Sequence, residues 1–215
     1  MCRRFTLLTD LSALIEAFGI GAVACDYRQG SDFTPGQEVA AVIHESDRNR
    51  LVGYRWGLIP SWAKDPAIGD KMYNARAETI TEKPSFARAF QKRRCLIPAD
   101  GFYEWQKLGK AREPLCFSLV SGQPFGFAGL YETWMSPEKG PVSTCTIVTT
   151  EANELIRPIH DRMPVIVPKD REAFWIDPDS RDPWELLSIL KPYPSDEMRM
   201  SARDVTLFGG SKGLT

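Results

Sequence analysis

The sequence predicts an α+β fold: a largely antiparallel, barrel-like or bifurcated β-sheet surrounded by short helices. Apolar and β-branched runs of strand length outnumber helical patterns, and they adjoin one another without the strand–helix alternation of a parallel sheet. No internal repeat, low-complexity segment or linker divides the 215 residues. One domain over 1–215 is therefore expected.

Residues 10–18 read as a helix. Leu11, Leu14, Ile15 and Phe18 recur at helical spacing, Thr9 or Asp10 caps the start, and Gly19 ends it. A Gly-, Asp- and Ser-rich loop is expected from there to Pro35-Gly36. VAAVI (39–43) and RLVGYRWGL (50–58) read as strands joined by a polar turn. Residues 61–74 read as a long loop broken by Pro and Gly, followed by a helix near 83–91 with Phe86 and Phe90 on one side. Further strands are expected at 95–105, 114–120, 125–134 and 143–150. A short helix (151–156), a segment ending in a strand (158–167), helices at 170–176 and 182–190 and a strand near 204–208 complete the prediction.

The composition, 43% hydrophobic and 26% charged, suits a soluble globular chain with a sizeable core. No apolar run approaches the roughly 18 residues of a membrane span, and no signal peptide is evident, so a cytoplasmic location is expected. The five cysteines show no zinc-ligand spacing, and there are two histidines; neither a metal nor a cofactor is expected. The net charge is −1, yet residues 48–112 hold 14 Lys and Arg against 6 Asp and Glu, leaving 13 and 22 elsewhere. This concentration fits either an anion-binding face or a solvated basic surface.

Cys2 carries the most unusual chemistry. A small second residue permits removal of Met1, which would expose an α-amine and a thiol two carbons apart. An aldehyde condenses with the amine, and the thiol then closes a five-membered thiazolidine ring. The α-amine has a reference pKa of about 7.7–8.0 against about 10.4 for lysine, so its neutral fraction at pH 7 is roughly a few hundredfold larger. The plainer reading makes Cys2 an ordinary strand residue.

Five motifs bear on that choice: MCRRF at the start, YRWGLIPSWAKD (54–65), YNARAET (73–79), RRCLIPADGFYEW (93–105) and IHDRMPVIV (159–167). Together, in order and spacing, they resemble the SRAP (SOS-response-associated peptidase) family from residue 2 to about 190; the tail 191–215 carries no motif. The resemblance implies that Cys2 forms a thiazolidine with the ring-opened sugar of an abasic site in single-stranded DNA. It implies that Asn74 contacts the cysteine and adduct, that Glu104 is the acid–base carboxylate, and that His160 is the second proton-transfer group. It further implies that Arg4 and Arg76 hold DNA phosphates and that Trp56, Pro35 and Met163 shape the DNA cleft. A monomer acting in the DNA damage response, with replication-fork proteins as further partners, is the corresponding expectation, as is Met1 removal, autocatalytic or by an aminopeptidase.

These residue types suit the chemistry. Abasic deoxyribose is mostly a closed hemiacetal, so a proton must reach its ring oxygen before the aldehyde forms, and a buried carboxyl can hold that proton near neutral pH. An imidazole suits proton shuttling, and a guanidinium fork suits phosphate. The alternatives are a glutamate on the polar face of a strand, a structural histidine, an Asn in a turn, and core aromatics at Trp56, Trp62, Phe102 and Trp105. Two positions depart from the family pattern: Arg3 stands where glycine is usual, and Asp32 where a neutral amide is usual. Two rival functions are a cysteine peptidase acting on other proteins and a non-covalent reader of modified DNA bases.

Overall fold

A computed structural model describes residues 2–109 and 111–202. In chain order the elements are β1 (Phe5–Leu7), α1 (Leu11–Phe18), β2 (Ile20–Ala24), β3 (Gly30–Phe33), β4 (Glu38–Glu45), β5 (Arg48–Trp56), β6 (Asn74–Arg76), α2 (Ala87–Lys92) and β7 (Arg94–Ala99). There follow β8 (Gly101–Leu108), β9 (Ala111–Leu119), β10 (Phe125–Ser136), β11 (Gly140–Glu151), β12 (Arg162–Pro164), α3 (Glu172–Ile176), α4 (Pro183–Ile189) and β13 (Met198–Ala202).

Strands β11, β10, β7, β4 and β5 pair in that order, and a parallel contact of β5 with β11 (Thr144 opposite Arg55, Cys145 opposite Trp56) closes them into a five-stranded barrel. β2 lies parallel on β5, β6 parallel on β11, and β12 antiparallel on β11. A second, antiparallel sheet runs β13-β9-β8-β1-β3. An aromatic layer seals the seam between sheet and barrel. Phe5 stacks on Phe33 at 5.1 Å and meets Trp56 at 5.3 Å and Phe127 at 5.8 Å, and Phe102 meets Phe127 at 5.9 Å. The predicted α+β class with a barrel-like, mostly antiparallel sheet is what the chain adopts.

Local chemistry accounts for the element boundaries. Asp10 caps α1 by accepting from the Ala13 N–H, and Gly19, at φ 58°, ends it in the left-handed conformation that glycine adopts without strain. Ser46 and Asp47, at φ 53° and 61°, make the two-residue turn between β4 and β5. Arg94 is almost fully buried, and its guanidinium donates to the carbonyls of Phe90, Gln91, Trp175, Asp177 and Ser180, tying α2 and α3 to β7.

Several expectations are corrected. The segment after α1 forms β2 and β3 instead of a loop; β2, the apolar run IGAVA, lies on β5, and the more polar β3 pairs with β1. The run 95–105 is two strands in two sheets. Asp100 breaks it, and its carboxylate accepts from Thr6 Oγ1, the Leu8 and Thr9 N–H groups and Thr9 Oγ1. The expected helix at 151–156 is a series of turns. Asn153 Oδ1 accepts from the Ile156 N–H, and its Nδ2 donates to the Tyr193 carbonyl, so its side chain competes with helical bonding. The helix near 83–91 shortens to α2. Residues 61–74 contain a short 3₁₀ turn, Pro66–Lys71, and end at the first residue of β6. The strand expected near 204–208 lies outside the described residues. No helix among the described residues is long and apolar enough to cross a membrane.

Candidate active site at the seam of sheet and barrel

The ends of four strands converge at the seam: β1 and β8 from the sheet, β6 and β12 from the barrel. The segment preceding β1 runs beside β8, where the Tyr103 N–H donates to the Arg4 carbonyl at 3.0 Å. Strand alternation then explains the setting of Glu104. It shares a face of β8 with Phe102, which is fully buried in the aromatic layer, and so the carboxyl is carried into an apolar environment with 5% exposure. Burial raises the Glu104 pKa above the ordinary carboxylate value.

Cys2 is fully buried, and burial, followed by the negative charge of Glu104, pushes its thiol up to about 12. The Sγ–H group makes only a weak contact with the Arg4 carbonyl, at 3.9 Å. Asn74 opens β6, which lies parallel to β11 with Asn74 opposite Ile147. Its Nδ2 donates to the Cys2 carbonyl at 2.8 Å, while its buried Oδ1 has no hydrogen-bond partner among the described residues. A buried acceptor left in this way is costly and marks a place for an incoming donor.

His160 follows a chain of turns in which its own N–H donates to the Ile156 carbonyl. Its Nδ1 accepts from the Arg162 N–H at 2.9 Å and lies 2.9 Å from Asp161 Oδ1. The first contact suits the neutral ring with its proton on Nε2; the second strengthens when the ring is protonated. Arg162 also binds Glu78 through two parallel hydrogen bonds of 2.6 and 2.9 Å and donates to the Thr149 carbonyl. The segment carrying Asn74 is thereby tied to the one carrying His160. The Arg162 fork draws the Glu78 carboxyl below its ordinary pKa.

Glu104 and His160 line an open cleft of about 1010 Å³, whereas Cys2 and Asn74 are not among its lining residues. Glu104, His160, Asp161 and Ile159 line one side, Thr34 and Pro35 another, and Arg3, Arg4, Trp105, Lys107 and Arg112 supply a cationic and aromatic wall. Arg4 lies over the Trp105 ring at 5.4 Å, Arg3 over Tyr73 at 5.4 Å, and Arg4 Nε sits 2.7 Å from Asp32 Oδ1. Lys107 and Arg112 stand directly opposite one another on β8 and β9.

The seam therefore brings Cys2, Asn74, Glu104 and His160 together, with Arg4 and Pro35 at the cleft. Trp56 and Met163 are fully buried and do not line it. Trp56 Nε1 donates to the Tyr73 carbonyl at 2.7 Å, and Met163 Sδ accepts from the Asn153 N–H. Both support the site from the core, because they sit on inward-facing positions. Arg76 is exposed, two residues beyond Asn74 on β6, but is not among the cleft-lining side chains. Sequence reasoning missed Glu78, Arg162, Lys107 and Arg112. The first two lie within recognised motifs, whereas the opposition of Lys107 to Arg112 requires the strand register. Among the described residues no group of three His, Cys, Asp or Glu side chains is placed to hold a metal ion.

The comparisons agree with this architecture. A crystal structure of a protein from Bacteroides thetaiotaomicron superposes with a TM-score of 0.85 at 28% identity, covering 94% of this chain and 93% of that one. The abasic site processing protein YoqW of Bacillus subtilis is 48% identical over 201 residues, covering 92% of this chain and 90% of its own length. The abasic site processing protein HMCES of Xenopus tropicalis is 30% identical over 171 residues, 69% of this chain and 51% of the longer relative. The sequence profile of the SOS response associated peptidase (SRAP) family matches residues 1–206. The chain belongs to the SRAP family.

Proposed function

We propose that this protein processes abasic sites in single-stranded DNA by bonding covalently to them through Cys2 once Met1 has been removed. The observation that carries the reading is the convergence on the Cys2 backbone. Asn74 holds its carbonyl at 2.8 Å, Glu104 lies close enough to raise its thiol pKa, and Glu104 in turn lines a cleft that carries Arg3, Arg4, Lys107 and Arg112.

Glu104, whose proton burial favours, gives it to the sugar ring oxygen while the C1′ hydroxyl loses its proton to water, and the hemiacetal opens to the aldehyde. The neutral Cys2 amine attacks C1′. Loss of water, assisted by His160, yields a Schiff base. The thiol adds to the same carbon, its proton passing to nitrogen, so that amine, thiol and aldehyde become a thiazolidine and one water. Burial raises the Cys2 thiol pKa, which disfavours the thiolate at neutral pH. This favours the amine as first nucleophile and weighs against a thiolate peptidase acting on other proteins. Because the Schiff base acidifies the protons at C2′, slow β-elimination accompanies capture, a lyase-like side activity. The covalent bond shields the lesion from cleavage and copying.

The test uses protein whose loss of Met1 is verified by intact mass, mixed with an oligonucleotide bearing one abasic site and resolved on a denaturing gel. A heat-stable covalent band that disappears in Cys2→Ala is expected. Cys2→Ser should give only a Schiff base trappable by borohydride. Absence of any covalent band from Met1-free protein overturns the reading.

A further inference from the structure

One of the cations lining the cleft is paired with a carboxylate that does not itself line it. Asp32, on β3, places Oδ1 2.7 Å from Arg4 Nε, and the same guanidinium lies over the Trp105 indole at 5.4 Å. Arg4 and Trp105 line the cleft, as do Thr34 and Pro35 immediately beyond β3. The fold does not depend on this ion pair. β1 and β3 are joined by backbone pairing at Phe5 and Phe33 and by the stack of those two rings. Both charged side chains are about one-third exposed, at 30% and 39%, a setting in which an ion pair adds little stability. A guanidinium fork offers the same donors to a phosphate as to a carboxylate, and the indole beneath it fixes the plane in which they point.

Taking Arg4 as a phosphate-holding residue, as the family resemblance implies, we infer that Asp32 occupies the Arg4 guanidinium in the free protein as a built-in competitor of one phosphodiester of the bound strand. This deepens the single-stranded DNA reading above and rests on it. An entering phosphate displaces the Asp32 carboxylate from Arg4, exchanging one ion pair for another. The displaced carboxylate regains its counterion, so this contact contributes little to the net release of salt ions. The residual negative charge of Asp32 also opposes the phosphate once seated. Asp32 thus sets both affinity and salt dependence at the entrance to the site, favouring ligands able to outcompete a carboxylate.

The test is equilibrium binding of an undamaged single-stranded oligonucleotide, which offers no aldehyde, to wild type, Asp32→Asn, Arg4→Gln and the double variant across a salt series. Asp32→Asn is expected to bind roughly two- to fivefold tighter, the scale of a partly exposed ion pair. Its log–log salt slope should steepen by about 0.7, the contribution of one single-strand phosphate contact. In the Arg4→Gln background the gain should vanish. Unchanged or weaker binding by Asp32→Asn overturns the inference, as does a gain that survives in the double variant, which would reflect net charge alone. Thermal melting confirms that each variant is folded. Covalent capture of an abasic oligonucleotide by wild type, measured alongside, separates failure of this inference from failure of the function proposed above.

Discussion

Asn74 and Cys2, 72 residues apart in sequence, are joined by a single hydrogen bond from the Asn74 amide nitrogen to the Cys2 carbonyl, 2.8 Å long. The bond fixes the backbone at Cys2 and leaves the Asn74 oxygen unpartnered among the described residues.

Asn74→Ala removes that anchor and should slow cross-link formation on the order of 10²-fold, the loss expected when a reacting group drifts by about 1 Å. Affinity for undamaged single-stranded DNA should change less than about twofold, since the mutation removes no charge. Single-turnover cross-linking on gels, compared with fluorescence anisotropy, measures the two. Equal losses in both would assign Asn74 to DNA binding instead.

Glu104→Gln should abolish most cross-linking while stabilising the fold at neutral and alkaline pH. Burial raises the Glu104 pKa, so the folded state binds its proton more tightly than the unfolded chain does. The associated stability is fully present below the unfolded value, near 4.5, and is lost as pH rises through the raised folded value. The neutral amide escapes this penalty. Melting temperatures should therefore favour the variant by roughly 2–4 °C at pH 8, the shift about 1 kcal/mol produces at this size, with the gap narrowing towards pH 4. In wild type the cross-linking rate should be bell-shaped in pH, falling in acid as the Cys2 amine is protonated and in alkali as Glu104 ionises. A flat profile, or a wild-type melting point above that of the variant at pH 8, contradicts this assignment.

Trp56→Phe tests a residue that the sequence suggested for the DNA cleft and the structure buries. Lost packing and the lost bond to the Tyr73 carbonyl should cost about 2 kcal/mol, readable by urea denaturation. Affinity for undamaged DNA should stay within twofold. A large affinity loss with unchanged stability would return Trp56 to the cleft.

Lys107 and Arg112 face one another across β8 and β9, where like charges repel. Replacing either by Ala should leave stability unchanged or slightly raised. The salt slope of single-strand binding should become shallower by about 0.7 per residue removed, while the cross-linking rate at saturating DNA is retained. A slope identical to wild type in both variants would show that the strand does not reach the hairpin.

Much of this was legible in the sequence, for reasons that differ by residue. α1 was readable because its apolar spacing and both caps are local. β3 was not, because a polar segment becomes a strand only when β1 supplies a partner, and β2 is a five-residue run interrupted by Gly21 that is fixed as a strand by lying on β5. The grouping of Cys2, Asn74, Glu104 and His160 followed from motif resemblance, since no local rule brings residues 2 and 160 together. The burial of Glu104 was foreseeable from its aromatic neighbours. The Glu78–Arg162 clamp was not, because it spans 84 residues and depends on how β6 and β12 both lie against β11. The burial of Trp56 and Met163 was not legible, because sequence gives the identity of a side chain without the face it presents.

The closure of the barrel by β11 has a temporal consequence. β6, which presents Asn74, rests on Ile147–Thr149, and β12, which follows His160, rests on Thr149–Glu151. During synthesis Cys2 leaves the ribosome first, yet its surroundings await the arrival of segments some 150 residues later. A nascent chain thus presents Cys2 unburied, and its thiol is withdrawn from solvent only when those later segments arrive.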